Sequence, residues 1–80
     1  MQSEERNILQ RVVENFANHG TTTDEQVSVV CIANGKTSTI EKIGDEGRTV
    51  MLDEYVVNQK TIRAGYSSRS HTVYLSVISG

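Results

Sequence analysis

The densest group of side chains able to bind or react lies in the stretch RAGYSSRSH, residues 63–71. Its nine positions hold two arginines, a tyrosine, three serines and a histidine. Arginine binds phosphate and tyrosine stacks on bases, so one interpretation is a contact with nucleic acid. Arginine and tyrosine are equally enriched at protein–protein contacts, which is a second interpretation. A third is a plain turn between strands, because serine hydroxyls bond to nearby backbone groups.

The charge balance separates the first two interpretations. The chain has eight lysines and arginines against ten acids, a net charge of −2, whereas a nucleic-acid-binding domain is expected to be basic. A protein contact needs no basic surface. We therefore predict that this region binds a partner, with a protein favoured and nucleic acid as the alternative. The predicted contact residues are Lys60, Arg63, Tyr66, Arg69 and His71.

The side chains that could take part in catalysis do not favour an enzymatic function. Ser67, Ser68 and Ser70 lie close to His71, but no GxSxG nucleophile elbow surrounds them. Neighbouring acids occur as four pairs, each at a predicted helix start or turn, where carboxylates commonly serve capping and solubility. The pairs are Glu4–Glu5, Asp24–Glu25, Asp45–Glu46 and Asp53–Glu54. The chain is predicted not to be an enzyme.

Neither a cofactor nor a metal is predicted. GKTS at 35–38 contains the Gly-Lys-Thr end of a phosphate-binding loop, but position 30, where that motif needs another glycine, is Val30. Cys31, His19 and His71 show no ligand spacing such as CxxC. Cys31 lies within an apolar run, so we predict a small buried side chain. As the single cysteine, it cannot form an internal disulfide.

The elements that must position these residues begin with one helix. Apolar residues recur at spacings of three and four over residues 3–19, which predicts an amphipathic helix with one apolar stripe. The helix is expected to end at Gly20, and Ile8, Val12 and Phe16 are expected to be buried against a sheet. The stripe consists of Ile8, Leu9, Val12, Val13, Phe16 and Ala17.

The remainder of the chain is typical of strands. Residues 26–33 form an apolar run with Val27, Val29 and Cys31 on one face and Val30 and Ile32 on the other. Asn-Gly at 34–35 predicts a hairpin to a more polar strand at 36–43. Residues 71–78 predict a final strand whose inward side chains are Val73, Leu75 and Val77.

Residues 48–64 are ambiguous. They could form a helix that ends before Gly65, but their many β-branched side chains favour two strands with a bend near Asp53 and Glu54. The fold class predicted for residues 1–80 is therefore a single α+β domain, in which the helix packs on an antiparallel sheet of about four or five strands. One helix covers one face of a sheet, so the other face should meet a second copy or a partner, and we expect a homodimer.

The absence of targeting features leads to a cytoplasmic expectation. The sequence has no apolar run after a basic start, and no stretch approaches the ~20 apolar residues of a membrane span. We expect a small non-enzymatic protein that acts by binding another macromolecule, with no membrane contact. Small accessory proteins of viruses and mobile elements fit this description, including inhibitors of host defence such as anti-CRISPR proteins.

Overall fold

The N-terminal part of the chain forms the helix that the apolar periodicity predicts. In the computed structural model, which describes residues 2–33, 35, 38–43 and 47–79, helix α1 spans Gln2–His19. Glu4 and Glu5 lie in its first turn, where the helix dipole favours negative charge. The helix ends at Gly20, which has a φ of 72° and donates its N–H to the Phe16 carbonyl at 2.9 Å.

Six strands follow α1 within the described residues. They are β1 Ser28–Cys31, β2 Ile40–Ile43, β3 Arg48–Met51, β4 Asp53–Val57, β5 Lys60–Ser67 and β6 Thr72–Ser79. Four form one sheet in the order β1-β6-β5-β4, and β2 pairs with β3 in a separate two-stranded ribbon. The predicted α+β class, with one N-terminal helix on a sheet, is confirmed, although the sheet is mixed because β1 runs parallel to β6.

The predicted hairpin between residues 26–33 and 36–43 is wrong in its pairing. β1 pairs with β6, whereas β2 pairs with β3. Gly35 donates its N–H to the Val77 carbonyl at 2.8 Å, so the chain continues along β6 after β1; Asn34, Lys36 and Thr37 lie outside the described residues. Tertiary packing overrides the local turn signal here, because Val27 and Val29 belong to the core that α1 covers.

Residues 48–64 form strands and not a helix, as their β-branched content predicts. The break comes at Leu52, between β3 and β4, and not at Asp53 and Glu54. A second turn, which the sequence analysis missed, lies at Asn58 and Gln59, with φ values of 52° and 65°. Positive φ at both central residues is typical of the two-residue turn that joins antiparallel strands, here β4 and β5.

The helix packs on one face of the four-stranded sheet, which we call the helix face. Val12 is buried as predicted, while Ile8 and Phe16 are only partly buried at the margin of this core. Val73 and Leu75 of β6 point inward, as their alternation predicts, and are fully buried. The buried cluster consists of Leu9, Val12, Val13, Ala17, Val27, Ile62, Ala64, Val73 and Leu75.

The opposite side of the sheet, which we call the ribbon face, is covered in part by the β2–β3 ribbon. Val50 and Leu52 pack with Tyr74 of β6, and Ile32 and Ile43 are partly buried around them. This second layer corrects the premise that nothing in the chain covers the other face. The homodimer inferred from that premise stays a prediction, and its two copies would have to meet at a different surface.

Gly65 of β5 permits this layer to lie close to the sheet. A Cβ at this position would overlap the Met51 carbonyl oxygen and lie 2.8 Å from Cγ1 of Val50 and 2.9 Å from Cδ2 of Leu52. The backbones of β3 and β5 therefore touch where a side chain would otherwise stand. The ribbon can lie this close because Gly65 has no side chain. The backbone of Gly65 has no positive φ, so conformational freedom is not the reason for a glycine here.

Candidate functional site

The stretch RAGYSSRSH combines the end of a strand with a turn. Residues 63–67 belong to β5, residues 68–71 form the turn, and β6 begins at Thr72. His71 has a φ of 55°, and the Thr72 hydroxyl donates to the Ser70 carbonyl at 2.8 Å. The turn therefore joins two long antiparallel strands whose paired backbones hold both of its ends.

Tyr66 ties the strand part of this stretch to the turn. Its ring is half-buried and packs against the helix-face core, while its hydroxyl lies 2.9 Å from Nδ1 of His71. The two rings meet edge to face, with their centroids 6.0 Å apart. The tyrosine is therefore held on both sides, and the exposed Arg69 extends from the turn beside it.

One shallow groove beside Tyr66 is rich in cations and hydroxyl groups, and we call it the arginine groove. Arg48 of β3 and Arg69 of the turn both line it, so the ribbon supplies one cation and the turn the other. No acid is among the described residues that line it. The exposed guanidinium group of Arg69, near serine and threonine hydroxyls, suits a carboxylate or a phosphate. Its lining is Arg48, Thr49, Val50, Met51, Tyr66, Ser67, Ser68 and Arg69.

A second groove lies beside Tyr66 and His71, and we call it the acidic groove. The first turn of α1 contributes Glu4 and Glu5, and the turn contributes Ser68 and His71. Tyr66 lines both grooves. The surface around this tyrosine therefore carries both signs of charge within a short distance.

Two of the five predicted contact residues lie elsewhere. Arg63 is on the ribbon face, where Nη2 donates to Oε1 of Glu54 at 3.2 Å, and only 15% of its side chain is exposed. Lys60 lies at the start of β5 and donates Nζ to the Ala17 carbonyl at 3.2 Å, in the last turn of α1. The structure thus brings together Tyr66, Arg69 and His71, and places Arg63 and Lys60 in internal contacts.

Three charged residues of the two grooves are not among the contact residues that the sequence predicts. Arg48, Glu4 and Glu5 are distant from the turn along the chain, and only the packing of β3 and α1 brings them to it. The signal that the sequence offers for these residues is their charge. Charge alone does not place any of them beside Tyr66.

Cys31 is exposed, which corrects the prediction of a buried apolar side chain. The helix-face core includes Val27 and Val29 of the same run but does not reach Cys31, at the end of an edge strand. Within the described ranges, no three side chains of the histidine, cysteine, aspartate and glutamate types cluster as a metal site would require.

The ion pair between Arg11 and Asp24 fastens the α1–β1 connector to the helix. Nε and Nη2 of Arg11 donate to the two carboxylate oxygens at 2.9 and 3.0 Å. Asp24 also accepts the N–H groups of Gln26 and Val27 at 2.8 and 3.3 Å. The hydrogen bond from Arg11 holds the pKa of Asp24 below its usual value, against the opposing effect of desolvation. Every polar atom of this carboxylate is thus used to fix the connector.

The comparisons with known proteins leave the site to be interpreted from its geometry. Among the residues that the structure describes, no helix is both long enough and apolar enough to span a bilayer. No protein-family profile, curated protein sequence or solved structure matches the chain.

Proposed function

We propose that the chain is a small non-enzymatic protein that acts by binding another protein through the surface around Tyr66. The observation that carries the proposal is the pairing of a fixed, half-buried tyrosine with an exposed arginine, Arg69, between two grooves of opposite charge. Tyrosine and arginine are the side chains that most often dominate protein–protein contacts. A tyrosine already held by its neighbours loses little rotational freedom on binding.

The mixed charge of this surface favours a protein over nucleic acid. A nucleic-acid backbone that entered the arginine groove would also approach Glu4 and Glu5 of the acidic groove, and like charges would repel. A protein can present an acidic segment to the exposed Arg69 and a basic one to the glutamates. The net charge of −2 supports the same choice.

The partner class that we propose is a component of a host defence system, with this chain as a virus- or mobile-element-encoded inhibitor of the anti-CRISPR kind. Its support is a binding surface that can block a partner by occupancy alone. The cytoplasm is the proposed compartment, since the single cysteine is exposed and forms no internal disulfide.

Nucleic acid remains a second candidate because of one observation. The arginine groove places the exposed Arg69 beside the hydroxyl groups of Thr49, Ser67 and Ser68, and no acid is among its described lining residues. Such a groove can also bind a phosphodiester backbone. We regard this as the alternative that the experiment below must separate.

The test compares two variants with the same change in net charge at opposite ends of β5. Arg69→Gln removes the exposed cation of the groove, whereas Gln59→Glu adds an acid at the distant β4–β5 turn. The full-length tagged protein and each variant are used to capture partners from lysates of the source organism, and captured proteins are quantified by mass spectrometry. Arg69→Gln should lower capture about tenfold or more, in line with the loss of a central arginine, and Gln59→Glu should not.

A salt titration of the captured complex distinguishes the two partner classes. A protein partner should show a modest fall in affinity between low and physiological salt, while nucleic acid should show a steep logarithmic dependence. Equal capture by both variants would remove the Tyr66 surface from the proposal. A steep salt dependence that disappears after nuclease treatment would replace the protein partner with nucleic acid.

A further inference from the structure

We infer that two copies of this chain associate through the outer edge of β1, which would extend the four-stranded sheet across a two-fold axis. This inference is independent of the Tyr66 surface. It starts from the position of β1, which lies at the end of the sheet and pairs on one side with β6. An edge strand presents a row of backbone donors and acceptors that another strand can bind.

The hydrogen bonds of β1 show which backbone groups point outward. Ser28 donates its N–H to the carbonyl of His71, the residue before β6, at 3.0 Å. Ile32 donates its N–H to the carbonyl of Leu75 in β6, at 2.8 Å. Backbone groups in a strand alternate in direction, so Val30 also faces β6. Val29 and Cys31 therefore direct their N–H and C=O groups to the outer edge, which no strand of the described residues pairs with.

The side chains of β1 lack the features that protect an edge strand from pairing. Ser28, Val29, Val30 and Cys31 carry no charge, and none is proline. The opposite edge of the same sheet, β4, begins with Asp53 and Glu54, both exposed. A pairing at β4 would place these exposed acids in the contact, a feature that protects an edge strand from pairing, whereas a pairing at β1 would bring together neutral residues. Charge thus selects β1 as the edge at which the chain meets itself.

A two-fold axis fixes the register of the pairing. Antiparallel alignment centred on Val30 places this residue opposite Val30 of the second copy, and places Val29 opposite Cys31 on each side. The outward groups of Val29 and Cys31 then form about four hydrogen bonds. Val30, which is 44% exposed in the single chain, would be covered by its counterpart.

Other registers fit less well. Centring on Val29 would set Val30 against Ser28, and the exposed valine would gain a polar neighbour. Centring on Cys31 would require Ala33 to continue the edge, but its carbonyl accepts a hydrogen bond from the buried Ser76 of β6, at 2.8 Å, and so points away from the edge. The Val30-centred register uses the regular part of β1.

The first experiment is a cross-link. Val30→Cys in a Cys31→Ser background places two thiols across a non-hydrogen-bonded antiparallel pair, whose Cα separation of about 4.5 Å allows a disulfide. Val56→Cys in the same background is the matched control, because Val56 is an exposed valine of the β4 edge. Under mild oxidation the Val30→Cys chain should convert to a covalent dimer of twice 8.9 kDa, and the Val56→Cys chain should remain mostly monomeric.

The second experiment removes one donor without removing a sheet hydrogen bond. Cys31→Pro eliminates an N–H that faces the open edge, a position where an edge strand tolerates proline. Light scattering at high micromolar concentration should show a dimer for the natural chain and a monomer for the variant, with unchanged circular dichroism. A natural chain that is monomeric under these conditions overturns the inference. A dimer that cross-links equally at Val56, or that survives Cys31→Pro with its fold intact, overturns it as well.

Discussion

The two faces of the four-stranded sheet are built in different ways. The helix face buries nine apolar residues from α1 and the sheet strands around it, and its packing is between side chains. The ribbon face buries three, Val50, Leu52 and Tyr74, and its closest approach is between backbones at Gly65. The ribbon face also holds polar groups, among them the buried Ser76 and the ion-paired Arg63.

This difference links stability to the candidate site. The free energy of folding should come mainly from the helix face, because it buries the larger apolar area. The arginine groove depends on the ribbon face, since Arg48 and Thr49 belong to β3. Local opening with a low free-energy cost is therefore expected at the ribbon, and it would separate Arg48 from Arg69 before the chain unfolds.

The largest expected effect comes from the same substitution on each face. Leu75 on the helix face and Leu52 on the ribbon face are both almost fully buried. Leu75→Ala should lower the free energy of unfolding by about 3–5 kcal/mol, and Leu52→Ala by about 2–3 kcal/mol, because the ribbon can settle toward the cavity more readily than the helix. Denaturant unfolding measures both values.

Hydrogen exchange supplies the control for this pair. Leu52→Ala should lose amide protection in β2 and β3 while α1 and β5 keep theirs, whereas Leu75→Ala should lower protection throughout. If the two variants lose equal stability and equal protection everywhere, the two faces form one cooperative unit and the contrast between them fails.

The next largest effect is expected at Gly65. Gly65→Ala places a methyl group against the Met51 carbonyl, and a backbone atom cannot move aside as a side-chain end does. We expect a loss of about 1–3 kcal/mol and displacement of the ribbon, visible as chemical-shift changes at Arg48–Met51 with little change in α1.

A second substitution shows which atom causes the effect at Gly65. Val50→Ala shortens the nearest side chain, so a Gly65→Ala/Val50→Ala double variant should stay as unstable as the two single losses combined. Recovery of stability in the double variant would mean that the valine, and not the backbone of β3, sets the distance between the layers.

The helix face could be predicted from the sequence because its signals are local. The spacing of apolar residues in α1 and the alternation in β6 each identify their buried side without knowledge of the partner element. The burial of individual residues within the helix face is predicted less accurately. Phe16 is expected to be buried, but it is half-buried at the edge of the core. The full penalty of about 3–5 kcal/mol for truncating a buried phenylalanine therefore does not apply to it.

The order of the strands could not be predicted, because its causes are not local. The parallel pairing of β1 with β6 joins residues far apart in the chain, and no local pattern records it. Asn58–Gln59 lacks the glycine that identifies most two-residue turns. The candidate site shares this limit. Tyr66, Arg69 and His71 are neighbours in sequence, so the sequence can group them, whereas Arg48 reaches the groove only through the ribbon.

The smallest expected effect comes from the Arg11–Asp24 ion pair. It tests whether the helix face can be destabilised without a change in the ribbon. The side chain of Asp24 is 5% exposed, while that of its partner Arg11 is 38% exposed, so solvent screens the pair in part. Asp24→Asn should lower the free energy of unfolding by about 1 kcal/mol at neutral pH, with the loss of protection confined to the connector between α1 and β1. Asparagine retains an oxygen that can accept the Gln26 and Val27 N–H groups, so the substitution removes the charge and the hydrogen bond from Arg11 Nε while these backbone contacts can persist.

Acid should have the same effect on the natural chain. Because the pKa of Asp24 is lowered in the folded state, chiefly by the hydrogen bond from Arg11, the folded state binds fewer protons than the unfolded chain near the ordinary value of 3.8. The stabilisation is therefore complete above about pH 5 and is lost as the pH falls through 3.8 and below. Urea unfolding at pH 7 and pH 3 should show a smaller loss of stability in Asp24→Asn than in the natural chain. If both lose the same amount, or if the loss in acid appears at the ribbon instead of the connector, this ion pair does not fasten the helix face.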